Sequence, residues 1–391
     1  FFICLGLKII VFIFKPPKNF SIYYTNHLYY RQVNEIFLDF FSKTCYDIPM
    51  KIENKVKIRD IAKIAGVSPM TVSRALNNKP DISEETKRKI LKIVKELKYY
   101  PNIFGRGLVK QKSHIIGIIG PSQGITYDNP YFAGIMRGIE AVCIEKSYDF
   151  LIKIYSHDYE KLDYLKLYYE SKVDGVILIA PDINHPELKE IIEKKLPYII
   201  VGTKVDNMNI SYIDSENKES MLKGVEEIVK KGHKKIAFIK GPENQTDAIE
   251  RYQGFLLAMK KYKIEINKNW IFSGNFLYES GIEACRKILK LKDKPTAVVC
   301  ANDLMAFGFI NEAIKSGYKI PEDFSVIGFD CVPWVKFSHP LLSTIKQPLE
   351  EMGKKAAELL FEKMEKSEFK ERAVVFPCNI EKGETISKPR T

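Results

Sequence analysis

Residues 58–102, IRDIAKIAGVSPMTVSRALNNKPDISEETKRKILKIVKELKYYPN, contain the pattern that decides the fold of the first part of this chain. From Ile58 to Ala65, apolar residues at positions 61, 62 and 65 share one helical face, and a Gly-Val turn follows. Ser68 is a good N-cap, and Pro69 takes the first helical position, where its missing N–H costs nothing. The sequence therefore predicts two short helices around a tight turn, the second ending near position 76.

A third helix is predicted after the second. Ser83 is placed to cap it, and Glu84 and Glu85 suit the positive end of a helix dipole. Its buried face is marked by an apolar stripe at helical spacing: Ile90, Ile93, Val94 and Leu97. Together these signals indicate a DNA-binding helix-turn-helix, and the alternative is a purely structural three-helix bundle.

The second helix has a predicted outward face near its N-terminus, because Val72 and Leu76 are spaced to face the core. In a helix-turn-helix this is the end that meets base edges in the major groove. Arg74 is suited to donate two hydrogen bonds to a guanine, and Met70 to contact a thymine methyl group. Thr71 and Ser73 are suited to bind phosphate.

The positive charge of the chain is concentrated in the same region. The chain has 391 residues and a net charge of +12. Residues 50–113 hold 16 Lys or Arg against 6 Asp or Glu, whereas residues 114–391 hold 40 of each. A basic block beside a neutral domain favours contact with phosphates over a merely solvated face.

The first 49 residues do not fit either domain. Residues 1–14 are apolar apart from Lys8 but are too few to span a bilayer. The first methionine is Met50, so we interpret residues 1–49 as a non-native upstream extension without a domain. A membrane anchor is the rival interpretation.

After residue 113 the pattern changes to short Ile- and Val-rich runs that alternate with amphipathic stretches. Such runs predict parallel strands covered by helices on both faces. We expect strands in seven segments: 115–120, 149–155, 173–180, 197–202, 234–241, 295–301 and 324–329. That number favours two α/β lobes, with a ligand in the cleft at the carboxyl ends of the strands.

At this point the sequence resembles the LacI/GalR (lactose-repressor) family of bacterial regulators. The match begins with the residue 58–102 pattern and continues through DNPYFAGIMRGIE, KKGHKKIAFIKGP, PTAVVCANDLMAFG and IPEDFSVIGFD, covering about residues 55–380. The resemblance implies an α/β fold class: an all-α helix-turn-helix domain (55–101), a hinge helix (102–113) and a two-lobed periplasmic-binding-protein-like domain (114–391). The first lobe would hold about 114–214 and 346–375, and the second about 215–345.

The resemblance also assigns residues that contact DNA. The helix-turn-helix positions are Ser68, Pro69, Met70, Thr71, Ser73, Arg74 and Asn77, and the hinge begins at Asn102. Leu108 stands where the family places an apolar wedge in the minor groove, which kinks the duplex. Gly105 and Gly107 each lower helix propensity by ~1 kcal/mol relative to Ala, so we expect hinge folding to depend on DNA. A flexible linker is the alternative.

The family's effector pocket matches Tyr131, Phe132, Arg251, Phe276, Asp303 and Asp330. Aromatic faces with carboxylates and a guanidinium suit a sugar, and they suit a purine less specifically. The alternatives are that the two adjacent aromatic residues are core and that the two aspartates are caps at strand ends. Gly202 and Thr203 replace the Asp-Arg pair of many sugar-binding members, so one common hydroxyl-binding pair is missing.

The remaining expectations concern class and partners. We find no catalytic motif, metal-ligand cluster or cofactor loop, so we expect neither an enzyme nor a cofactor. Seven scattered cysteines without a C-x-x-C pair favour a reducing cytoplasm. The expected partners are a pseudo-palindromic double-stranded DNA operator, a small-molecule effector and a second copy of the chain, with no membrane. The rivals are an uptake protein with the same two lobes and an α/β enzyme.

Overall fold

The first compact unit of the computed structural model, within residues 1–100, is formed by three short helices: α1 (Ile58–Ala65), α2 (Pro69–Leu76) and α3 (Glu84–Glu96). The structure describes residues 56–76, 78–99, 112–121, 129–155, 164–181, 186–194, 196–204, 210–366 and 368–390. The interpretation of residues 1–49 falls outside these ranges. Gly66 ends α1 at a φ of 72°, a left-handed conformation that glycine adopts without strain.

The caps and the core of this unit follow the predicted pattern. The Ser83 side chain accepts a hydrogen bond from the backbone N–H of Thr86, which caps α3 as predicted. Ile61, Val72 and Ile90, one from each helix, are fully buried together. In α2 the second buried position is Ala75, and the predicted Leu76 packs only partly against the core.

The second unit, within residues 101–391, contains two six-stranded sheets in its described residues. The first sheet has the order β11-β5-β4-β3-β1-β2 and is parallel throughout. Its strands are β1 (Ile115–Pro121), β2 (Asp149–Tyr155), β3 (Gly175–Ile179), β4 (Tyr198–Val201), β5 (Tyr212–Ser215) and β11 (Ala373–Phe376). Helices α4 (Pro130–Lys146), α5 (Tyr164–Tyr169), α6 (Pro186–Glu193) and α11 (Leu349–Glu365) belong to this first lobe.

The second sheet has the order β12-β10-β9-β8-β6-β7, and β12 pairs antiparallel to β10 at its edge. Its strands are β6 (Ile236–Ile239), β7 (Ile271–Phe272), β8 (Ala297–Cys300), β9 (Ser325–Asp330), β10 (Ser343–Lys346) and β12 (Asn379–Glu381). Helices α7 (Asn217–Lys230), α8 (Thr246–Lys261), α9 (Tyr278–Leu289) and α10 (Asp303–Lys315) pack in this second lobe. None of the described helices is both long and apolar enough to cross a membrane.

The seven strands expected from sequence are all present, and the structure adds five more. The chain passes between the lobes three times: after β5, after β10 and after β11. The sequence analysis assigned residues 215–345 to the second lobe and included only one returning segment. In the structure β12 and the residues after it also belong to that lobe, where the side chain of His233 bonds to the Ser387 carbonyl.

The first lobe depends on a close crossing of α4 and α11. A Cβ atom at Gly138 would lie 2.0 Å from the backbone oxygen of Glu350, and one at Gly353 would lie 2.0 Å from that of Ile135. Two helices can approach this closely only where neither presents a side chain. These glycines therefore set the distance between the two helices that cover one face of the first sheet.

We predict that Gly138→Ala destabilises the second unit by about 1–3 kcal/mol, because the new methyl group must displace backbone rather than a flexible side chain. Urea unfolding of the full chain followed by circular dichroism measures this. Glu140→Ala, an exposed substitution on the same helix, is the control and should change stability little. Equal stabilities of the two variants would show that the helices do not need this close approach.

Candidate functional site

The predicted DNA-facing end of α2 is capped and open to solvent. The Ser68 side chain accepts a hydrogen bond from the backbone N–H of Thr71, and the two hydroxyl oxygens lie 2.9 Å apart. Ser68, Pro69 and Met70 are exposed, and the Met70 side chain is 63% accessible. Thr71 and Ser73 are half-buried beside them. An exposed methionine at the first turn of a helix places an apolar group where a base could be contacted.

Arg74 is exposed one turn further along α2 and has a partner that the sequence analysis did not anticipate. Its Nη1 atom lies 3.2 Å from Oδ2 of Asp81, and both side chains are about half exposed. An exposed ion pair of this kind contributes little to stability. Asp81 therefore orients the guanidinium. Because the ion pair contributes little free energy, another acceptor can replace Asp81 at small cost. The predicted contacts Asn77, Asn102 and Leu108 lie outside the described residues.

In the second unit, polar side chains gather where strands of both sheets end. Asp214 lies at the end of β5, Asn302 follows β8 and Asp330 ends β9. Arg251 and Asp247 reach the same place from the first two turns of α8. The carboxyl ends of parallel strands are where ligands bind in α/β proteins. We call Arg251 and the three carboxyl groups of Asp214, Asp247 and Asp330 the polar cluster.

Arg251 is the centre of the cluster and is almost fully buried. Its Nε donates to Oδ1 of Asn217 at 2.9 Å, and its Nη1 donates to the carbonyl of Ala301 at 2.7 Å. Nη1 also lies 3.3 Å from Oδ1 of Asp330. Nη2 lies 3.6 Å from Oδ2 of Asp247, which is within ion-pair range but too long for a hydrogen bond. The Nη2 edge thus keeps donor capacity that the described contacts do not use.

Aromatic rings surround the guanidinium. The Arg251 Cζ atom lies 3.9 Å from the ring centre of Phe329 and 5.5 Å from that of Phe276. Phe276 adopts a φ of 67°, and its carbonyl accepts a hydrogen bond from the Asn302 side chain at 2.9 Å. This strained backbone is thus fixed where its ring covers the cluster.

The first lobe contributes Tyr131, near the start of α4. A Cβ atom at Gly202 would lie 2.7 Å from the Tyr131 hydroxyl, so that hydroxyl packs against the segment that follows β4. Burial raises the pKa of Tyr131 well above its usual value, and the charges of Asp247, Asp214 and Asp330 raise it further. A direct bond also joins the lobes, from the Lys204 backbone N–H to the Thr246 hydroxyl at 3.1 Å. Both lobes therefore meet at the polar cluster.

The carboxyl groups of the cluster are short of positive charge. Burial, together with the charge of the nearby Asp247, raises the pKa of Asp214 to about 7. Burial likewise raises the pKa of Asp247, and it raises that of Asp330 to about 6 even though Arg251 opposes the shift. A single guanidinium does not offset three buried carboxylates, so the cluster holds protons more tightly than free carboxylates do.

A hydrogen-bond chain leads from the cluster to the lobe crossings. The Gln347 side-chain amide donates to Oδ1 of Asp330 at 2.7 Å, and its carbonyl accepts from the Ser215 hydroxyl at 2.7 Å. Gln347 directly follows β10, and Ser215 ends β5, so both lie where the chain passes between the lobes. Through the single side chain of Gln347, Asp330 is therefore linked to two of the three segments where the chain crosses between the lobes.

Two of the predicted effector residues lie in a different environment. Phe132 is buried in the first-lobe core against residues such as Ile116 and Met352, which favours the core alternative. The Asp303 carboxylate accepts from the Thr344 hydroxyl at 2.5 Å and from the Val332 backbone N–H at 2.9 Å. Both of its oxygens serve to hold β10 and the turn after β9, which favours a structural role. Tyr131, Arg251, Phe276 and Asp330 are brought together.

The sequence analysis missed four residues of this site: Asp214, Asn217, Asp247 and Gln347. Asp247 precedes Arg251 by four residues, so helical spacing alone placed the two side chains on one face. Asp214 and Asn217 flank the junction of β5 and α7, but β5 was not among the predicted strands. Gln347 carried no local signal. In the described part of the chain no three His, Cys, Asp or Glu side chains are arranged to hold a metal ion.

Comparison with known proteins decides the family. A model described as bacterial regulatory proteins, lacI family, matches residues 57–102, and a periplasmic binding protein-like domain matches residues 225–386. The probable HTH-type transcriptional repressor ExuR of Bacillus subtilis is 36% identical over 324 residues, which cover 82% of this chain and 95% of ExuR. The chain belongs to the LacI family of bacterial transcriptional regulators.

Other LacI-family relatives agree in both sequence and structure. The HTH-type transcriptional repressor PurR of Mannheimia succiniciproducens is 33% identical, covering 81% of this chain and 94% of PurR. A lac repressor dimer bound to operator and the anti-inducer ONPF has a TM-score of 0.76 and 25% identity, covering 85% of this chain and all of that one. A CelR–cellobiose complex has a TM-score of 0.65 and 26% identity, covering 84% and 99%.

Membership in the LacI family confirms the predicted fold class: an N-terminal helix-turn-helix followed by a two-sheet α/β domain. It also shows that the protein is a regulator and not an enzyme, because the family consists of transcriptional regulators. The rival interpretations as an uptake protein or an α/β enzyme are therefore excluded.

We predict that stability depends on pH through Asp214. Its folded pKa of about 7 is above the unfolded value near 4, so its favourable contribution is complete at low pH and is lost as the pH rises through about 7. Asp214→Asn should therefore gain stability relative to the original chain between pH 5 and 8, by about 2 kcal/mol. Urea unfolding at a series of pH values measures the difference.

The control for this prediction is Asp293→Asn, which removes an exposed carboxylate from the second lobe of the same unit. Its stability relative to the original chain should show a much weaker dependence on pH. The comparison between variants also cancels the effect of His233, whose pKa burial lowers and which therefore acts in the opposite direction. A stability difference for Asp214→Asn that stays constant with pH would contradict the prediction.

Proposed function

We propose that this LacI-family regulator is a repressor that binds a pseudo-palindromic operator as a dimer, and that a small polyhydroxylated effector controls its affinity for the operator. A sugar or sugar derivative is the favoured effector. The observation that carries the proposal is the buried Arg251, which keeps an unused donor edge where both lobes meet. The protein would act in transcription regulation through its helix-turn-helix and its effector-binding lobes.

The DNA half of the proposal rests on the exposed end of α2. Ser68, Pro69 and Met70 present a capped helix start, and Arg74 adds a guanidinium that forms an exposed ion pair with Asp81. A guanine that offers two acceptors in the major groove would compete well with that ion pair. We assign Thr71 and Ser73 to phosphate, and Asn77, Asn102 and Leu108 remain predictions from the family pattern.

The effector half rests on the pair formed by Arg251 and Asp247. Nη2 and Oδ2 lie 3.6 Å apart without a hydrogen bond between them, so one hydroxyl group bound beside the pair could accept from Nη2 and donate to Oδ2. Phe276 supplies a ring face for the apolar side of a sugar. The CelR–cellobiose complex shows that a protein of this fold binds a sugar. These features favour Tyr131, Arg251, Phe276 and Asp330, with Asp247 added, as the effector-binding residues.

A purine is the second candidate for the effector. The ring of Phe276 beside a guanidinium suits a flat heterocycle, and several relatives of this chain are named PurR. A purine offers few hydroxyl donors, however, and the cluster is rich in carboxylate acceptors. The polyol therefore fits the hydrogen-bonding chemistry better.

The dimer is proposed from an exposed apolar pair in the second lobe. Residues Pro333–Phe337 form a 3₁₀ turn after β9, on which the Phe337 side chain is 78% accessible and Trp334 is 44% accessible. Large aromatic side chains exposed together mark an interaction surface. A second copy of the chain is the occupant that a palindromic operator requires, since each half-site takes one α2 helix.

Arg74→Ala tests the DNA half of the proposal. We expect operator affinity to fall by roughly 10-fold or more, because a bidentate contact to a base contributes about 1–3 kcal/mol. Affinity for random DNA should fall much less. Titration of both duplexes by fluorescence anisotropy measures this, with Arg88→Ala on α3 as the control for losing one positive charge. Equal losses on both duplexes would make Arg74 a phosphate contact only.

The effector half is tested by titrating the full chain onto a palindromic operator from upstream of its own gene, with and without a panel of sugars and purines. We expect two chains per operator, a steep salt dependence and one compound class that changes the affinity. Arg251→Lys should keep operator binding within about twofold and lose the response, since lysine lacks the planar fork. Arg286→Lys, an exposed arginine of α9, is the control. A response that survives in Arg251→Lys would place the effector elsewhere.

A further inference from the structure

The polar cluster contains more acidic than basic side chains, and these side chains are buried close together. Three buried carboxyl groups, those of Asp214, Asp247 and Asp330, share Arg251 as their guanidinium in the described part of the structure. Asp303 adds a fourth buried carboxyl group behind Asp330. If all four ionised, the group would carry a net charge of −3.

The charges just outside the cluster do not correct this excess. Glu250 on α8 interacts with Lys204, Lys218 and Glu219, so two acidic and two basic side chains stand at the rim. They balance each other, and Lys218 already lies 3.8 Å from Glu219. These four rim residues are thus neutral together, and the inner excess remains among the described residues.

Acceptors also outnumber donors inside the cluster. Oδ1 of Asp214 accepts from the Ser215 N–H and from Asn217, Oδ1 of Asp247 accepts from the Ala248 N–H, and Oδ1 of Asp330 accepts from Gln347. From the described residues, the Oδ2 atom of each of these three aspartates receives no hydrogen bond. Among the described residues no donor reaches these three oxygens, so a bound molecule that donates hydrogen bonds suits them.

We propose that this site selects an effector without negative charge, an uncharged or amine-bearing polyol, and that Asp214 and Asp247 exclude the carboxylate- and phosphate-bearing forms of the same molecule. The inference rests on the proposed function, because it takes the polar cluster to be the effector site. It narrows that function from polyhydroxylated compounds in general to one charge class.

The physical reason is the combination of hydrogen bonding and charge. Hydroxyl or ammonium groups donate to the three free carboxylate oxygens, whereas a carboxylate or phosphate adds only acceptors. Water screens charges weakly in a buried site, so each ionised aspartate repels one further negative charge placed beside it. The raised pKa values of Asp214 and Asp330 agree with a site that already resists negative charge.

The experiment uses matched sets of compounds with the full chain. For glucose, galactose and mannose, the neutral sugar, its 2-amino form, its uronic acid and its 6-phosphate are titrated by calorimetry at pH 7.5. Inosine and inosine 5′-monophosphate, which differ only by the phosphate, form a further matched pair. Operator binding by the same preparation, measured by anisotropy, shows that the protein is folded and active. In each set that binds, we expect the uncharged or amino form to bind at least about 10-fold more tightly than its acid or phosphate.

Variants tie the selectivity to the named carboxylates. Asp247→Asn keeps the size of the side chain and one acceptor oxygen but removes the charge. It should therefore reduce the ratio of the affinity for the neutral form to the affinity for the acidic form by about 10-fold. Asp214→Asn tests the same point from the first lobe if the Asp247 variant does not fold. Glu219→Gln removes one negative charge from the exposed rim and should leave the ratio unchanged.

The possible outcomes distinguish failure of the charge selectivity from failure of the proposed effector site. The proposal is supported if neutral or amine-bearing compounds bind more tightly than their acidic forms and this affinity ratio falls in Asp247→Asn but not in Glu219→Gln. Tighter binding of a uronic acid or phosphate than of its neutral partner would overturn the charge selection and leave the proposed function intact. If no compound binds while operator binding is normal, the cluster is not the effector site, and both the effector half of the proposed function and this inference are overturned.

Discussion

The second unit is organised around one buried guanidinium. A buried charge is tolerated only when it is paired and hydrogen-bonded, so Arg251 must draw acceptors from every element around it. It takes Asn217 from the start of α7, the Ala301 carbonyl from the end of β8 and Asp330 from the end of β9. These groups are far apart in sequence, and the requirement to satisfy one side chain fixes the ends of two strands and the start of a helix relative to each other.

Local signals explain what the sequence predicted well. Helices α2 and α3 begin where the side chains of Ser68 and Ser83 cap them, and such contacts span three residues. The seven predicted strands are apolar runs long enough to stand out, and most of them are buried. Strands β7 and β12 have two and three residues. They exist because a neighbouring strand offers a free edge, which only the tertiary fold determines.

The candidate site was predictable only in part, because the role of a buried polar residue depends on its partners. Asp303 and Asp330 were indistinguishable in the sequence, each an aspartate at or just after a strand end. In the structure Asp303 is satisfied by Thr344 and Val332, whereas Asp330 keeps one oxygen without a hydrogen bond from the described residues. The ion pair of Arg74 with Asp81 was likewise not predictable from the sequence, because it depends on the conformation of the loop between α2 and α3.

Hydrogen bonds to the carboxyl groups of the polar cluster are the interaction through which an effector would act. A ligand shifts a conformational equilibrium only by its differential affinity for the two states. Here the differential is greatest for a molecule whose donors reach carboxylates from both lobes, because Asp214 belongs to the first and Asp247 and Asp330 to the second. Gln347 bonds Asp330 to Ser215 at the lobe crossings, so a change in the bonding of Asp330 alters a contact that both lobes share. The relation between the lobes is thus coupled to the bonding of Asp330, and an effector that leaves Asp330 unchanged would bind without altering the shared contact.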